Sequence, residues 1–126
     1  MKGMKSNMKI EDIEELKNKA KNIRKDIIEE VYSAKSGHPG GSLSIADIMA
    51  VLYFNELNID EKNPDYEERD RLILSKGHCS PALYAALAER GFFEKEKLKS
   101  FRNIKSNLQG HPDMNKVPGV DMSSGS

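Results

Sequence analysis

Three glycine–histidine pairs are the part of this chain best suited to chemistry, and they contain all of its histidines: His38, His78 and His111. Two of them, His38 and His111, are also followed by proline. Glycine lets the backbone approach a ligand closely, and proline keeps the residue before it out of a helix. This shared context favours three imidazoles presented from loops. A histidine in such a position can give up and recover a proton near neutral pH.

Taken one at a time, these loops have plainer interpretations. The segment "GHPGGS" lacks the Lys-Ser/Thr ending of a nucleotide-triphosphate P-loop, and a glycine-rich turn between helices explains it equally well. The histidines have no partner ligands at the spacing of a zinc site. Cys79, the single cysteine, can be read as a nucleophile, but a buried structural thiol is the commoner case. "KGHCSP" alone is compatible with a solvent-facing turn.

The elements that must position these loops are predicted from apolar spacing. Apolar residues three and four positions apart predict an amphipathic helix over residues 10–34. It ends at the first Gly-His pair, so residues 36–42 are predicted to form a loop. Ser44 followed by Asp47 resembles a capping box and predicts a second helix, buried on most sides, up to about Leu57.

A strand followed by a helix is predicted around His78. Residues 71–75, "RLILS", form a short apolar run bounded by charge, which suits a buried parallel strand. Ser80 and Pro81 are predicted to cap and begin a helix that Gly91 closes. Ligands of open α/β sheets bind beyond the carboxyl ends of strands, and helix N-termini attract phosphate. An anionic ligand near His78 is therefore physically reasonable.

The last part of the chain has weaker signals. A fourth, short helix is predicted over residues 94–101, with acidic residues at its start and basic residues toward its end. Residues 103–126 have no periodicity and are interrupted by glycine and proline. An irregular segment of this length in a compact domain is typically functional or disordered.

Composition limits the class of protein. The chain has 126 residues, enough for one domain with a modest core, and its 20 basic residues balance its 20 acidic residues. This balance argues against a nucleic-acid partner. The longest apolar run is far shorter than the roughly 20 residues that cross a bilayer, and the first residues lack the apolar core of a signal peptide. We therefore expect a soluble, cytoplasmic protein with neither a nucleic-acid nor a membrane partner.

Three segments together resemble the amino-terminal, thiamine-diphosphate-binding part of transketolases: "SGHPGGSLSIADIMAVLYFNEL", "RDRLILSKGHCSPALYAALAERG" and "QGHPDMNKVPGVDMSSGS". Their order and spacing are similar to the split transketolases, in which separate polypeptides carry the two halves. The resemblance implies an α/β fold, the amino-terminal part of a parallel-sheet domain that is helix-rich in the region covered here. It divides the chain into a flexible N-terminus, residues 1–10, and an incomplete diphosphate-binding domain, residues 11–126.

The resemblance also implies an activity and a set of site residues. Transketolases use thiamine diphosphate with Mg²⁺ or Ca²⁺ to move a two-carbon ketol unit from a ketose phosphate to an aldose phosphate. His78 and Gly125 would contact the cofactor. His38 and His111 would be catalytic, binding the hydroxyls of the donor sugar and assisting proton transfer to its carbonyl oxygen. Asp113 is interpreted as a turn former, with a smaller role in ordering His111.

The chain departs from the family in what it lacks. The metal-binding Gly-Asp-Gly with its downstream Asn, and the glutamate that activates the aminopyrimidine, have no counterpart here, and neither Asp113 nor Asp121 replaces them. We therefore expect the metal ligands to lie outside this chain. A carboxy-terminal transketolase half and a second copy of the chain are the expected partners, and no turnover is expected from the chain alone.

Two other interpretations remain open. One is a related thiamine-diphosphate ketol transferase, such as deoxyxylulose-phosphate synthase or dihydroxyacetone synthase, although the paired "GHP" motifs favour a transketolase over the first. The other is a non-catalytic remnant, a phosphate-binding or assembly module that keeps the loops without the metal site.

Overall fold

The computed structural model describes residues 9–37 and 39–124, and in these residues all regular structure is helical. The elements are α1 (Ile13–Ala34), α2 (Pro39–Ser44), α3 (Ala46–Val51) with a π-helical turn (Leu52–Glu56), a 3₁₀ turn (Gly77–Cys79), α4 (Ser80–Arg90) and a 3₁₀ helix (Lys95–Ser100). None of the helices in this part of the chain is long and apolar enough to span a membrane.

Helix α1 confirms the first predicted helix. It begins at Ile13 because the Asp12 side chain accepts a hydrogen bond from the Glu15 amide at 3.3 Å. It ends where Lys35 takes a left-handed backbone conformation with φ of 56°. Ile23 and Ile27, in the middle of its apolar stripe, are fully buried and pack on the rest of the core, while Ile13 at its start is 65% exposed.

Helix α4 is the centre of the fold. Its first nine residues, Ser80 to Ala88, are all buried. α1, α2, α3 and the 3₁₀ helix all contact it. Alanine and leucine at most positions allow this close approach from several sides. The predicted end of the helix is also confirmed, because Gly91 terminates it with φ of 98°.

Two predicted caps are wrong. Ser80 is the first residue of α4, and its hydroxyl bonds distant carbonyls instead of capping the helix. α3 starts after Ile45 with no side-chain cap, because the Ser44 hydroxyl donates to the Gly41 carbonyl at 2.8 Å. The predicted loop is also partly wrong, since Pro39–Ser44 forms the short helix α2.

The second and fourth predicted helices are found with differences. α3 and its π-helical turn are not buried on most sides, because they pack on α1 and α4 through one face and leave Ile48 57% exposed. The fourth helix is a 3₁₀ helix over Lys95–Ser100.

The predicted strand at residues 71–75 is not formed in the described part of the chain. A strand needs a neighbouring strand to bond its backbone, and residues 9–37 and 39–124 provide none. Instead, the Leu72 amide donates to the Asp121 carboxylate at 2.8 Å, and Ile73 is 58% exposed. Asp121 also pairs with Arg69 at 3.1 Å, so it fastens the irregular C-terminal segment to this extended one.

Three carboxyl groups lie between α1 and α4. Asp26 and Glu30 are one turn apart on α1, and Glu89 is near the end of α4. Both Glu30 carboxyl oxygens are buried without a hydrogen-bond partner in the described residues. The Lys95 ammonium lies 2.7 Å from Glu89 and 3.7 Å from Asp26. One cation thus faces a pair of carboxyl groups, while a third stays unpaired.

These surroundings change the pKa values in opposite directions. Burial, followed by the hydrogen bond and charge of Glu89, raises the pKa of Asp26 from 3.8 to about 8. Burial and the charge of Asp26 raise the pKa of Glu30 well above its usual value. Burial also acts to raise the pKa of Glu89, but hydrogen bonds from Asp26 and Lys95 outweigh it and lower that pKa.

Stability is therefore expected to fall as pH rises. Above about pH 4 the unfolded chain loses the proton of Asp26 while the folded protein keeps it, so folding is favoured less as the pH rises to about 8. The raised pKa of Glu30 acts in the same direction. Glu89 acts in the opposite direction, because its stabilising charge is lost at acid pH. Asp26 and Glu30 have raised pKa values and only Glu89 has a lowered one. The free energy of unfolding is therefore expected to decrease between about pH 4 and pH 8.

Replacing Glu30 with glutamine tests this expectation. The neutral amide removes the cost of holding a proton on Glu30 at a pH where the unfolded chain has lost it, so Glu30→Gln should raise the free energy of unfolding at pH 8 by about 1–3 kcal/mol and change it less at pH 5. Denaturant unfolding at both pH values measures this difference. Glu29→Gln is the matched control, since the Glu29 side chain is half exposed. Equal stability of Glu30→Gln and the wild type at both pH values would contradict the interpretation.

Candidate functional site

One cavity of about 340 Å³ brings together two of the three histidines singled out in the sequence. His78 and His111 both line it, and so does Gly37, which precedes His38 in the chain. The remaining lining residues follow the 3₁₀ helix: Phe101, Arg102, Gln109 and Gly110. His38 and Gly125, the other two predicted site residues, lie outside the described residues.

Two hydrogen bonds from α4 hold the loop of His111 in place. The Ser80 hydroxyl donates to the Gly110 carbonyl at 2.8 Å, and the Tyr84 hydroxyl donates to the Gln109 carbonyl at 2.7 Å. Ser80 and Tyr84 are four residues apart and therefore lie on one face of the helix. Burial raises the pKa of Tyr84, so its hydroxyl keeps its proton and remains a donor. The loop is thus fixed at the start of α4, two residues from His78.

Helix α2 packs against the turn that carries His78. The Ser42 hydroxyl donates to the Cys79 carbonyl at 3.3 Å, and Cys79 itself is fully buried, as a structural thiol would be. A Cβ atom added to Gly41 would lie only 2.5 Å from the Cys79 Sγ atom. The same point is 3.9 Å from the His78 Nε2 atom and 4.0 Å from the Lys76 Nζ atom. Only glycine allows Cys79 this approach, and the His78 imidazole and the Lys76 ammonium lie near the same point.

Arg102 is a site residue that the sequence reasoning missed. It has a left-handed backbone with φ of 66°, and its amide donates to the Leu108 carbonyl at 2.7 Å. Its guanidinium lies against Gly110, with the Nη1 atom 3.4 Å from where a Cβ of that residue would be. No sequence signal marks it, because an arginine after a short charged helix is typical of a solvated surface.

The lining of the cavity suits an anionic, hydroxyl-bearing ligand. Its polar side chains are His78, Arg102, Gln109 and His111, and no carboxylate lines it among the described residues. Guanidinium and imidazole groups recognise phosphate oxygens, and imidazole and amide groups bond sugar hydroxyls. At the start of α4, next to His78, the Ser80 amide donates to the Gly77 carbonyl and Pro81 has no amide hydrogen, so recognition of an anion here depends on the side chains.

The acidic residues near the end of the chain are occupied by the protein itself. The Asp113 carboxylate accepts a hydrogen bond from the Asn115 amide at 2.9 Å, which confirms its prediction as a turn former. Both Asp121 oxygens accept hydrogen bonds, from Arg69 and from the Leu72 amide. Within residues 9–37 and 39–124, no group of three or more His, Cys, Asp or Glu side chains could hold a metal ion.

Comparison with known proteins gives a consistent family. Residues 15–126 match the family model of the thiamine diphosphate binding domain of transketolase. The chain is 48% identical over 112 residues to the 6-deoxy-6-sulfo-D-fructose transketolase subunit of a Clostridium species, covering 89% of this chain and 41% of that subunit. It is 38% identical over 113 residues to an apulose-4-phosphate transketolase subunit of Phocaeicola vulgatus, with 90% and 40% covered. It is 40% identical over 114 residues to human transketolase, with 90% and 18% covered.

Solved structures show the same relationship. The transketolase of Leishmania mexicana aligns with a TM-score of 0.84 at 34% identity, covering 87% of this chain and 17% of that one. The transketolase of Campylobacter jejuni aligns with a TM-score of 0.83 at 38% identity, covering 91% and 18%. The chain therefore spans about two fifths of the subunit-type relatives and less than a fifth of the longer transketolases. With the family model matched from residue 15 to the last residue, this chain belongs to the thiamine-diphosphate-binding domain family of transketolases.

Proposed function

We propose that this chain forms one wall of the active site of a transketolase, which moves a two-carbon ketol unit from a ketose phosphate to an aldose phosphate. The observation that carries this proposal is the cavity shared by His78 and His111, which holds Arg102 and no carboxylate among its described lining residues. Relatives named as transketolase subunits support a second proposal, that a carboxy-terminal half completes the enzyme.

The residues near His78 fit the diphosphate of thiamine diphosphate. The His78 Nε2 and Lys76 Nζ atoms lie 3.9 Å and 4.0 Å from the Cβ position of Gly41, so an imidazole and an ammonium group are close enough to each other to hold one anionic group. We propose that His78 donates to the diphosphate, and that Gly125, on sequence grounds alone, lets the backbone approach the cofactor. When bound, the thiazolium of the cofactor supplies the carbanion and stabilises it.

The other side of the cavity fits the sugar. His111, held by the two hydrogen bonds from α4, would bond a donor hydroxyl and hold a proton at the carbonyl oxygen of the sugar. His38 would share this role, a proposal that rests on its sequence context. Arg102, beside Gly110, would orient the loop of His111 and offer positive charge to the ligand.

Several finer features belong to the same proposal. The names of two relatives specify a sulfonated hexulose and a pentulose phosphate, so the donor here would be a ketose with a phosphate or sulfonate group. The Mg²⁺ or Ca²⁺ ligands would lie outside this chain, and a second copy would complete a cytoplasmic oligomer. The exposed Ile73 and its neighbours in residues 71–75 would join the parallel sheet of an α/β domain once further strands are present.

The function is tested by assembling the full amino-terminal polypeptide with a candidate carboxy-terminal half. Consumption of xylulose 5-phosphate is followed with thiamine diphosphate and Mg²⁺. His78→Ala should weaken cofactor binding about 10- to 100-fold, because a hydrogen bond to a charged group is lost. His111→Ala should leave cofactor binding nearly unchanged and lower kcat/KM about 10²- to 10⁴-fold.

Each outcome of this assay has a separate meaning. No cofactor-dependent turnover with both halves folded would overturn the enzymatic proposal. Cofactor binding without turnover would favour the non-catalytic module. Unchanged cofactor affinity in His78→Ala would show that the role given to this residue is wrong.

Gly41 and Gly40 form a matched pair for a second test. Gly41→Ala should push Cys79 away and displace His78, weakening thiamine diphosphate binding by at least about tenfold. A Cβ on Gly40 would meet no described atom within 4 Å, so Gly40→Ala should bind the cofactor normally and change the free energy of unfolding by about 1 kcal/mol or less. Isothermal titration with the cofactor measures both. Equal affinities for the two variants would contradict the proposed fit.

A further inference from the structure

A second cavity, of about 350 Å³, is lined by the same irregular segment through different residues. Its charged lining residues are all basic: Lys97 from the 3₁₀ helix, Lys105 and Lys116. We propose that this cavity binds the phosphate or sulfonate group of a small organic molecule.

The three lysines that line the second cavity are exposed and differ from the neighbouring lysines in their ion pairing. Lys95 and Lys99, on the same 3₁₀ helix as Lys97, each pair with a carboxylate. Lys97, Lys105 and Lys116 form no such ion pair within the described residues. Three ammonium groups around one cavity repel each other, and an anion placed among them removes that repulsion. No carboxylate lines this cavity among the described residues, so its lining carries positive charge only.

The polar wall of the cavity is held in shape by its own hydrogen bonds. The Ser100 and Ser106 hydroxyls are 2.7 Å apart, and Ser106 also accepts the Leu108 amide at 3.0 Å. The Asn103 carbonyl accepts a hydrogen bond from Gln109 at 2.8 Å. The side-chain amides of Asn103 and Asn107 line the cavity and make no hydrogen bond among the described residues. They can donate to a tetrahedral oxyanion beside the lysines.

The remaining wall is apolar and gives room for a carbon skeleton. Phe93, Leu108, Val117 and Pro118 line it, and Leu108 and Val117 are buried in the core. The lysines and asparagines would bind the charged group itself, and the apolar floor has room for the carbon skeleton of a small organic anion. Such an anion has two sources. It is either the charged end of the sugar substrate, an alternative that rests on the proposed function, or a separate effector that carries the same group.

Binding is measured in the assembled complex, saturated with thiamine diphosphate so that the histidine cavity is filled. Inorganic phosphate is titrated and followed by ³¹P line broadening and calorimetry. The double variant Lys105→Gln/Lys116→Gln should weaken phosphate binding about tenfold, because two charge-assisted contacts are removed. Lys99→Gln is the control, since its ammonium pairs with Glu29 and does not line the cavity.

Absence of phosphate binding to the wild-type complex, or equal loss in the control, would overturn the proposal. If the double variant does not assemble, the single variant Lys116→Gln answers the same question with a smaller effect. Because binding is read without turnover, a wild-type complex that binds phosphate but has no activity would refute only the proposed function.

Kinetics then separate the two sources of the anion. If the cavity holds the end of the substrate, the double variant should raise KM for xylulose 5-phosphate about tenfold and leave KM for erythrulose, an uncharged ketose, unchanged. Inorganic phosphate should then compete with the phosphorylated substrate. If the anion is a separate effector, both KM values should stay unchanged, and phosphate should alter the wild-type rate without competing.

Discussion

The hydrogen bonds from Ser80 and Tyr84 to the carbonyls of Gln109 and Gly110 are the interaction on which the site depends. The segment after the 3₁₀ helix has no regular structure to fix its course. Two donors on one face of a buried helix supply that constraint and bring His111 to the cavity of His78. Because α4 is buried along its first nine residues, these donors have little freedom to move. The loop of Gln109, Gly110 and His111, although irregular, is thus held in one position and lines the cavity.

The same helix also carries an unfavourable feature of the fold. Its far end places Glu89 near Asp26, where burial and the neighbouring carboxyl group raise the pKa of Asp26, and the Lys95 ammonium lies beside both groups. Glu30 has no hydrogen-bond partner in the part of the chain that the structure describes, and burial raises its pKa. The packing of α1 on α4 therefore depends on the protonation of Asp26 and Glu30. The hydrogen bonds that hold the loop of His111 depend instead on the uncharged hydroxyls of Ser80 and Tyr84. A rise in pH is expected to weaken the packing of α1 on α4 before it disturbs the hydrogen bonds from Ser80 and Tyr84.

Sequence reasoning predicts the parts of this structure that depend on local rules. The spacing of apolar residues places α1, and Gly91 places the end of α4, because both depend on contacts within a few residues. The roles of Ser80 and Arg102 could not be predicted, since their partners depend on the tertiary path of the irregular segment. Serine is a common N-cap residue, but the Ser80 hydroxyl instead donates to carbonyls 29 and 30 residues away. The strand at residues 71–75 fails for a related reason, because a strand exists only with a neighbour.

The irregular segment connects the two cavities, and Arg102 shows how. A left-handed backbone at a residue other than glycine costs about 1 kcal/mol or more, and the Arg102 amide bond to Leu108 offsets part of it. That bond closes the loop between Arg102 and Leu108. The Arg102 guanidinium lines the cavity of His78 and His111, and Leu108 lines the cavity of the three lysines. Arg102 and Lys105 both belong to this loop, and each places a positive charge at one of the two cavities. Since Leu108 is buried in the core, the shape of the lysine-lined cavity depends on the same loop that holds Arg102 at the cavity of His78 and His111.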